Sequence, residues 1–139
     1  MVKDDLIKAG EFDKIEALTR EAVELMLGFE LAHVGINETD GEAADHTAGR
    51  FESIFGFGKK TGSASVFAGT AVEVMKAPGL GAKGHIGIRT NYIERAVNYL
   101  ENQGVEFNPS SAKYDEKGNL KAIYLKEEVG GFAVHLVQK

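Results

Sequence analysis

Three of the chain's four histidines and one carboxylate fall at matching points of a repeated pattern. The run Ala32-His33-Val34-Gly35-Ile36 is echoed by Gly84-His85-Ile86-Gly87-Ile88. Further along, Ala71-Val72-Glu73-Val74 is echoed by Ala133-Val134-His135-Leu136. Each run is short, alternating and rich in β-branched residues, which reads as a strand with two unlike faces. With a side-chain period of two, Val34, Ile36, Val72, Val74, Ile86, Ile88, Val134 and Leu136 share the face of a hydrophobic core. His33, Glu73, His85 and His135 then share the opposite face, one per strand.

Neutral imidazoles with a carboxylate suit a borderline divalent metal such as zinc, nickel, cobalt, iron or manganese. Four protein ligands from four strands would leave one or two positions for water or substrate oxygens, as a catalytic metal requires. Such an ion polarises a carbonyl or stabilises an enediolate as a Lewis acid. The competing reading is four unrelated polar residues on a solvated sheet face. It suits one isolated histidine better than four groups in register.

The elements around these runs repeat as well. Strand Leu31–Asn37 leads into a helix from about Gly41 to Phe55, with Ala44, Ala48, Phe51 and Phe55 recurring at helical spacing and Gly56 as its left-handed cap. Strands follow near Ser63–Ala68 and Ala71–Lys76, and the glycine-rich stretch Ala77–Gly84 reads as a connector. In the second unit, strand His85–Thr90 leads into a helix from about Tyr92 to Gln103, with Asn91 and Glu94 spaced as a capping box and Gly104 as its end. Val105–Phe107 reads as a short strand and Asn108–Asn119 as a polar loop. Strands Leu120–Lys126 and Phe132–Gln138 close the unit. The interval from Glu73 to His135 exceeds that from His33 to His85, and the longer polar loop accounts for the excess. Two βαβββ units in an α+β chain are therefore expected. Ahead of them a helix over Glu11–Phe29 carries an apolar stripe of Ile15, Leu18, Ala22, Leu25, Met26 and Phe29, which must cover the domain or a partner.

Composition narrows the classes. The chain has 139 residues, enough for one ordinary domain with its own core. A net charge of −5 with no basic run argues against nucleic acid and anionic membranes as partners. Absence of cysteine excludes disulfides, thiolate ligands and a cysteine nucleophile. No apolar segment reaches the roughly 18 residues of a membrane span, and no signal-like segment opens the chain, so a cytoplasmic location is expected.

The repeat, the HVGI and GHIGI strands and the positions of Glu73 and His135 together resemble the vicinal oxygen chelate superfamily, and glyoxalase I within it, over about residues 30–139. The resemblance implies paired βαβββ modules, about 30–77 and 84–139, in a U-shaped mixed sheet. It also implies a divalent metal held by His33, Glu73, His85 and His135, and modules that pair within one chain or across a homodimer. Glyoxalase I has a carboxylate where this chain has His135, which leaves Glu73 as both ligand and local base. The histidine-rich set is also similar to superfamily members that do oxygen chemistry at iron or group transfer at manganese. Residues 1–28, with Leu-Ile-Lys-Ala-Gly-Glu-Phe-Asp-Lys-Ile and Leu-Thr-Arg-Glu-Ala-Val, resemble the C-terminal end of bacterial 2-keto-3-deoxy-6-phosphogluconate aldolases. No Schiff-base lysine of that barrel has a counterpart here.

The expectation that follows is a metal-dependent lyase or isomerase that enolises a small oxo-acid or α-hydroxycarbonyl substrate, with Glu73 as base. Its rival is a non-catalytic accessory domain of an aldolase of that type. Arg89 shares the parity of His85 and is expected to meet a substrate carboxylate or phosphate, with Met75, Phe67 and Tyr124 as cleft walls. His46 reads as a surface residue.

Overall fold

The computed structural model describes residues 4–139. Met1, Val2 and Lys3, which carry part of the aldolase-like resemblance, lie outside the described residues. Two helices, α1 (Asp4–Lys8) and α2 (Phe12–Leu27), precede β1 (Glu30–Asn37), α3 (Gly41–Phe55), β2 (Lys59–Thr61), β3 (Ser65–Ala68) and β4 (Val72–Met75). The second unit consists of β5 (His85–Thr90), α4 (Ile93–Glu101), β6 (Lys113–Tyr114), β7 (Leu120–Val129) and β8 (Phe132–Gln138). All eight strands form one mixed sheet in the order β2-β3-β4-β1-β5-β8-β7-β6. The first strands of the two units pair antiparallel at its centre, and each pairs in parallel with the last strand of its own unit. The order therefore mirrors itself about the β1/β5 seam, as two copies of one βαβββ unit require.

Each unit has its own core. Asp40 starts α3 by accepting the Glu42 and Ala43 N–H groups at 2.9 Å, and Gly56 (φ 72°) ends it in the left-handed region. Ala44 and Ala48 let the helix sit close on Val66, Ala68 and Val74. In the second unit Ile93 and Ala96 pack with Leu27, Phe107, Leu120, Ile123 and Leu136. Truncating one of these larger side chains, Leu136→Ala for example, costs about 2–5 kcal/mol through lost burial and the cavity left behind.

Several local expectations are corrected. Helix α3 packs on β2, β3 and β4, and α4 on β7 and β8. Val34, Ile86 and Val134, near the seam, are consequently only partly buried and belong to neither core. The exposed strand β2 lies ahead of the two strands expected after α3 and brings them to the three of a βαβββ unit. Val105–Phe107 contributes only a single bridge, Phe107 to Leu125, while β6 forms inside the expected polar loop. Asn91 caps no helix: α4 begins after Tyr92, its Ile93 N–H donates to Gln138 Oε1 at 2.9 Å, and the Asn91 amide donates to Met26 O at 3.0 Å.

Much of the expected stripe of α2 faces outward, with Leu18 47% and Leu25 81% exposed, whereas Phe29, just past the helix, packs on the second core. The cause lies at the helix end. Thr90 Oγ1 donates to Leu27 O at 2.7 Å, the Asn91 N–H donates to the same carbonyl at 2.8 Å, and Lys139 Nζ donates to Gly28 O at 3.0 Å. These bonds satisfy the terminal carbonyls and rotate Val23 and Leu27, rather than Leu18 and Leu25, onto the second core.

Candidate metal centre

The four central strands position the site. Gly35 on β1 pairs with Glu73 on one side and His85 on the other, while Gly87 on β5 pairs with His33 and His135. Each glycine leaves a gap on the cleft face that the neighbouring side chains fill. A Cβ on Gly35 would run into the His85 ring, and one on Gly87 into the His33 ring. The two H-x-G strands, antiparallel and in this register, are thus reciprocal: each supplies a histidine and the space for its partner's.

The expected residues converge. His33 Nε2 and His85 Nε2 each lie 3.3 Å from Glu73 Oε2, and His135 Nε2 lies 3.1 Å from His33 Nε2. One ligand atom of each histidine falls within 4.8 Å of the others. Ser65, which the sequence reading missed, donates its hydroxyl to Glu73 Oε1 at 2.7 Å and so turns Oε2 toward the imidazoles. Tyr124 stacks on His135 with ring centroids 4.5 Å apart, and Phe67 meets His33 edge-on at 6.0 Å. Phe67 also lines the cleft that opens beside His33, whereas Tyr124 covers the ring of His135 and does not line it. Met75 shares the face of Glu73 at the end of β4, opposite Asn37. His46 is exposed on α3.

The electrostatics suit a cation. Burial pushes His135 down to about 3, with the other two imidazoles adding to the effect, and burial likewise lowers His33. Burial would raise Glu73, but the hydrogen bonds from His85 and Ser65 and the nearby imidazoles outweigh it and hold the carboxyl at about 2. At neutral pH the cluster thus has unprotonated His33 and His135 beside an ionised carboxylate, the protonation state that metal ligands need. Two uncharged imidazole nitrogens at 3.1 Å can share only one proton, and the buried Nδ1 of His135 has no partner among the described residues. Three Nε2 atoms and one carboxylate oxygen aimed at one point fit a divalent ion of the zinc-to-manganese range, and these residues could hold one.

From His33 a cleft of about 550 Å³ opens between Phe67, Thr70, Arg89 and the end of β8. Arg89 lies in it as its parity implies. Glu30 and Lys139 also line it, and neither was anticipated. For Glu30 the reason is a bulge: the β1/β5 register shifts between Leu31 and His33, so Ala32 is an extra residue that brings Glu30 to the face of His33. Lys139 shares the parity of His135, a signal the sequence did contain.

Two βαβββ units joined through their first strands, with the polar cluster on one face, define the glyoxalase-like (vicinal oxygen chelate) fold. Solved structures of methylmalonyl-CoA epimerases share it. The Mycobacterium tuberculosis enzyme matches with a TM-score of 0.53 at 16% identity, over 81% of this chain and 89% of its own. A Streptomyces coelicolor variant in complex with 2-nitronate-propionyl-CoA gives 0.56 at 15% identity, over 79% of this chain and 94% of its own. A hypothetical protein from Bacillus halodurans C-125 gives 0.56 at 13% identity, over 80% and 94%. At such identities the likeness is one of fold. No family profile and no curated relative matches the sequence.

Proposed function

We propose that the chain is a metal-dependent lyase or isomerase that moves a proton α to a carbonyl of a small oxo-acid or α-hydroxycarbonyl compound. The observation that carries this reading is the convergence of three Nε2 atoms and Glu73 Oε2 at one end of an open cleft. His33, Glu73, His85 and His135 would hold the ion. Its chemistry, once bound, is that of a Lewis acid that makes the α-proton more acidic and the enolate less costly. Glu73 Oε1, outside the ligand set and steadied by Ser65, accepts that proton and returns it to the same or the neighbouring carbon. A carboxyl held at about 2 is a weak base, so transfer depends on an acidified substrate. Phe67 lines the cleft beside His33, and Tyr124 covers the ring of His135. That the fold neighbours include methylmalonyl-CoA epimerases is in keeping with an α-proton transfer.

The test has two parts. Metal analysis after purification, or titration with zinc, nickel, cobalt or manganese, is expected to give one ion per chain. NMR in D₂O should then show metal-dependent deuterium uptake at the α-carbon of 2-oxo acids, methylglyoxal hemithioacetal or methylmalonyl-CoA. Failure of both sinks the proposal. Metal binding without exchange in any substrate would favour the accessory-domain reading.

A further inference from the structure

The outer end of the cleft holds a charge arrangement that neither the cores nor the metal centre uses. Glu30 Oε1 lies 3.6 Å from Arg89 Nε and 3.4 Å from Lys139 Nζ. Both separations exceed the 2.7–2.9 Å of a tight charge-assisted bond, so one carboxylate is loosely shared by two cations. The cations are held elsewhere: Arg89 Nη2 donates to Ala32 O at 3.2 Å, and Lys139 Nζ to Gly28 O at 3.0 Å. A guanidinium has five N–H donors, so most of Arg89's remain for something else. Two positioned cations thus face a single side-chain carboxylate that neither holds tightly. Exposed ion pairs of this kind add little to folding stability, so stability is a poor explanation for it. The bulge at Ala32 brings Glu30 to this face, and all three residues line the same cleft as His33.

We infer that Arg89 and Lys139 form a subsite for the anionic group of the substrate, and that Glu30 is an internal stand-in which the incoming anion displaces. The ligand class is a small molecule with a carboxylate or phosphate at one end and, resting on the proposed function, a carbonyl or hydroxycarbonyl at the other. A neutral aldehyde would use only half of the cleft. The stand-in lowers the cost of an empty subsite and sets a threshold that a weakly charged ligand fails to pass.

Binding to metal-free protein tests the subsite apart from the reaction. Inorganic phosphate and succinate, as separate arms, are titrated at fixed ionic strength and followed by the Arg89 side-chain N–H and the backbone amides of residues 30, 89 and 139. Sodium chloride serves as the control. Saturable shifts confined to this end of the cleft are expected, and the arm that binds more tightly names the group. Glu30→Gln should tighten binding roughly two- to fivefold, the size of a surface ion pair removed as competitor. Arg89→Gln should weaken it about tenfold or more with metal uptake unchanged. Unchanged or weaker binding in Glu30→Gln, or shifts spread over surface lysines and matched by chloride, would overturn the proposal. Anion binding in a protein that takes up no metal would uphold the subsite while sinking the metal-centred reading.

Discussion

Gly35 stands directly across the β1/β5 seam from His85, and the histidine ring occupies the volume that a side chain at position 35 would fill. The relationship is repeated between Gly87 and His33. Neither glycine has a positive φ, so neither is needed for its backbone conformation. Both serve the space above them.

Gly35→Ala should therefore leave the strand intact and displace the His85 ring. Displacing a ligand costs at least as much as losing its support, so metal affinity should fall about 10–100-fold or more. Isothermal titration with zinc reads the loss. In a His85→Ala background the same substitution should cost little, and a thermal-melt cycle over the four variants should show a coupling of about 1 kcal/mol or more. Additive effects would mean that ring and glycine do not meet.

Ser65→Ala should separate orientation from ligation. The hydroxyl touches only the Glu73 oxygen that faces away from the histidines. Its loss removes one hydrogen bond to a charged group, about 1.5–3 kcal/mol, and frees the carboxylate to rotate. Metal should still bind, more weakly. If Glu73 Oε1 is the base, kcat for α-proton exchange should fall more than KM rises, and the acid limb of the pH profile should move upward. Ser65→Thr should restore both. A change in affinity alone, with the pH profile unmoved, would reduce Ser65 to a support for the ligand.

Acid should destabilise the metal-free protein over a defined range. His135 ionises near 6.5 in an unfolded chain and at about 3 here, and Glu73 near 4.5 and at about 2. For both, the unfolded state takes up its proton first as pH falls, so stability declines from about pH 6.5 downward. Urea midpoints at pH 7.5, 5.5 and 4.5 should fall in that order, and His135→Phe should flatten the first part of the slope. A midpoint that rises on acidification would contradict the burial of a neutral imidazole.

The sequence made the four converging side chains legible because a repeat fixes register without knowledge of the fold. His33 and His85 sit at the same point of one motif, Glu73 and His135 at the same point of another, so strand parity alone put them on one face. The reciprocal H-x-G spacing was also on view, but its meaning needed the antiparallel β1/β5 pairing, which only the tertiary arrangement supplies. Glu30 was out of reach because a bulge breaks the alternation on which the reading relied. The face of α2 was misread for another reason. The helix has two competing apolar edges, and the choice between them was made by Thr90, Asn91 and Lys139, remote in sequence, bonding to its last carbonyls.

That anchorage yields the last prediction. Thr90 is fully buried, and its hydroxyl reaches Leu27 O at 2.7 Å. The same carbonyl accepts from the Asn91 N–H, so Thr90→Val removes one of two bonds at nearly constant shape. The cost should be about 1–2 kcal/mol, read in the exchange of the helix's own amides. Because α2 buries little beyond Leu27, the loss should appear as local opening rather than global unfolding. Amide exchange in Phe12–Leu27 should accelerate by about tenfold, a value set by the same free energy, while the amides of β1, β4, β5 and β8 change less. Lys139, bonded to the adjacent Gly28 carbonyl, would lose part of its positioning, so phosphate binding should weaken while zinc affinity holds. Equal acceleration throughout the sheet would show that α2 is integral to the second core and not a segment fastened at one end.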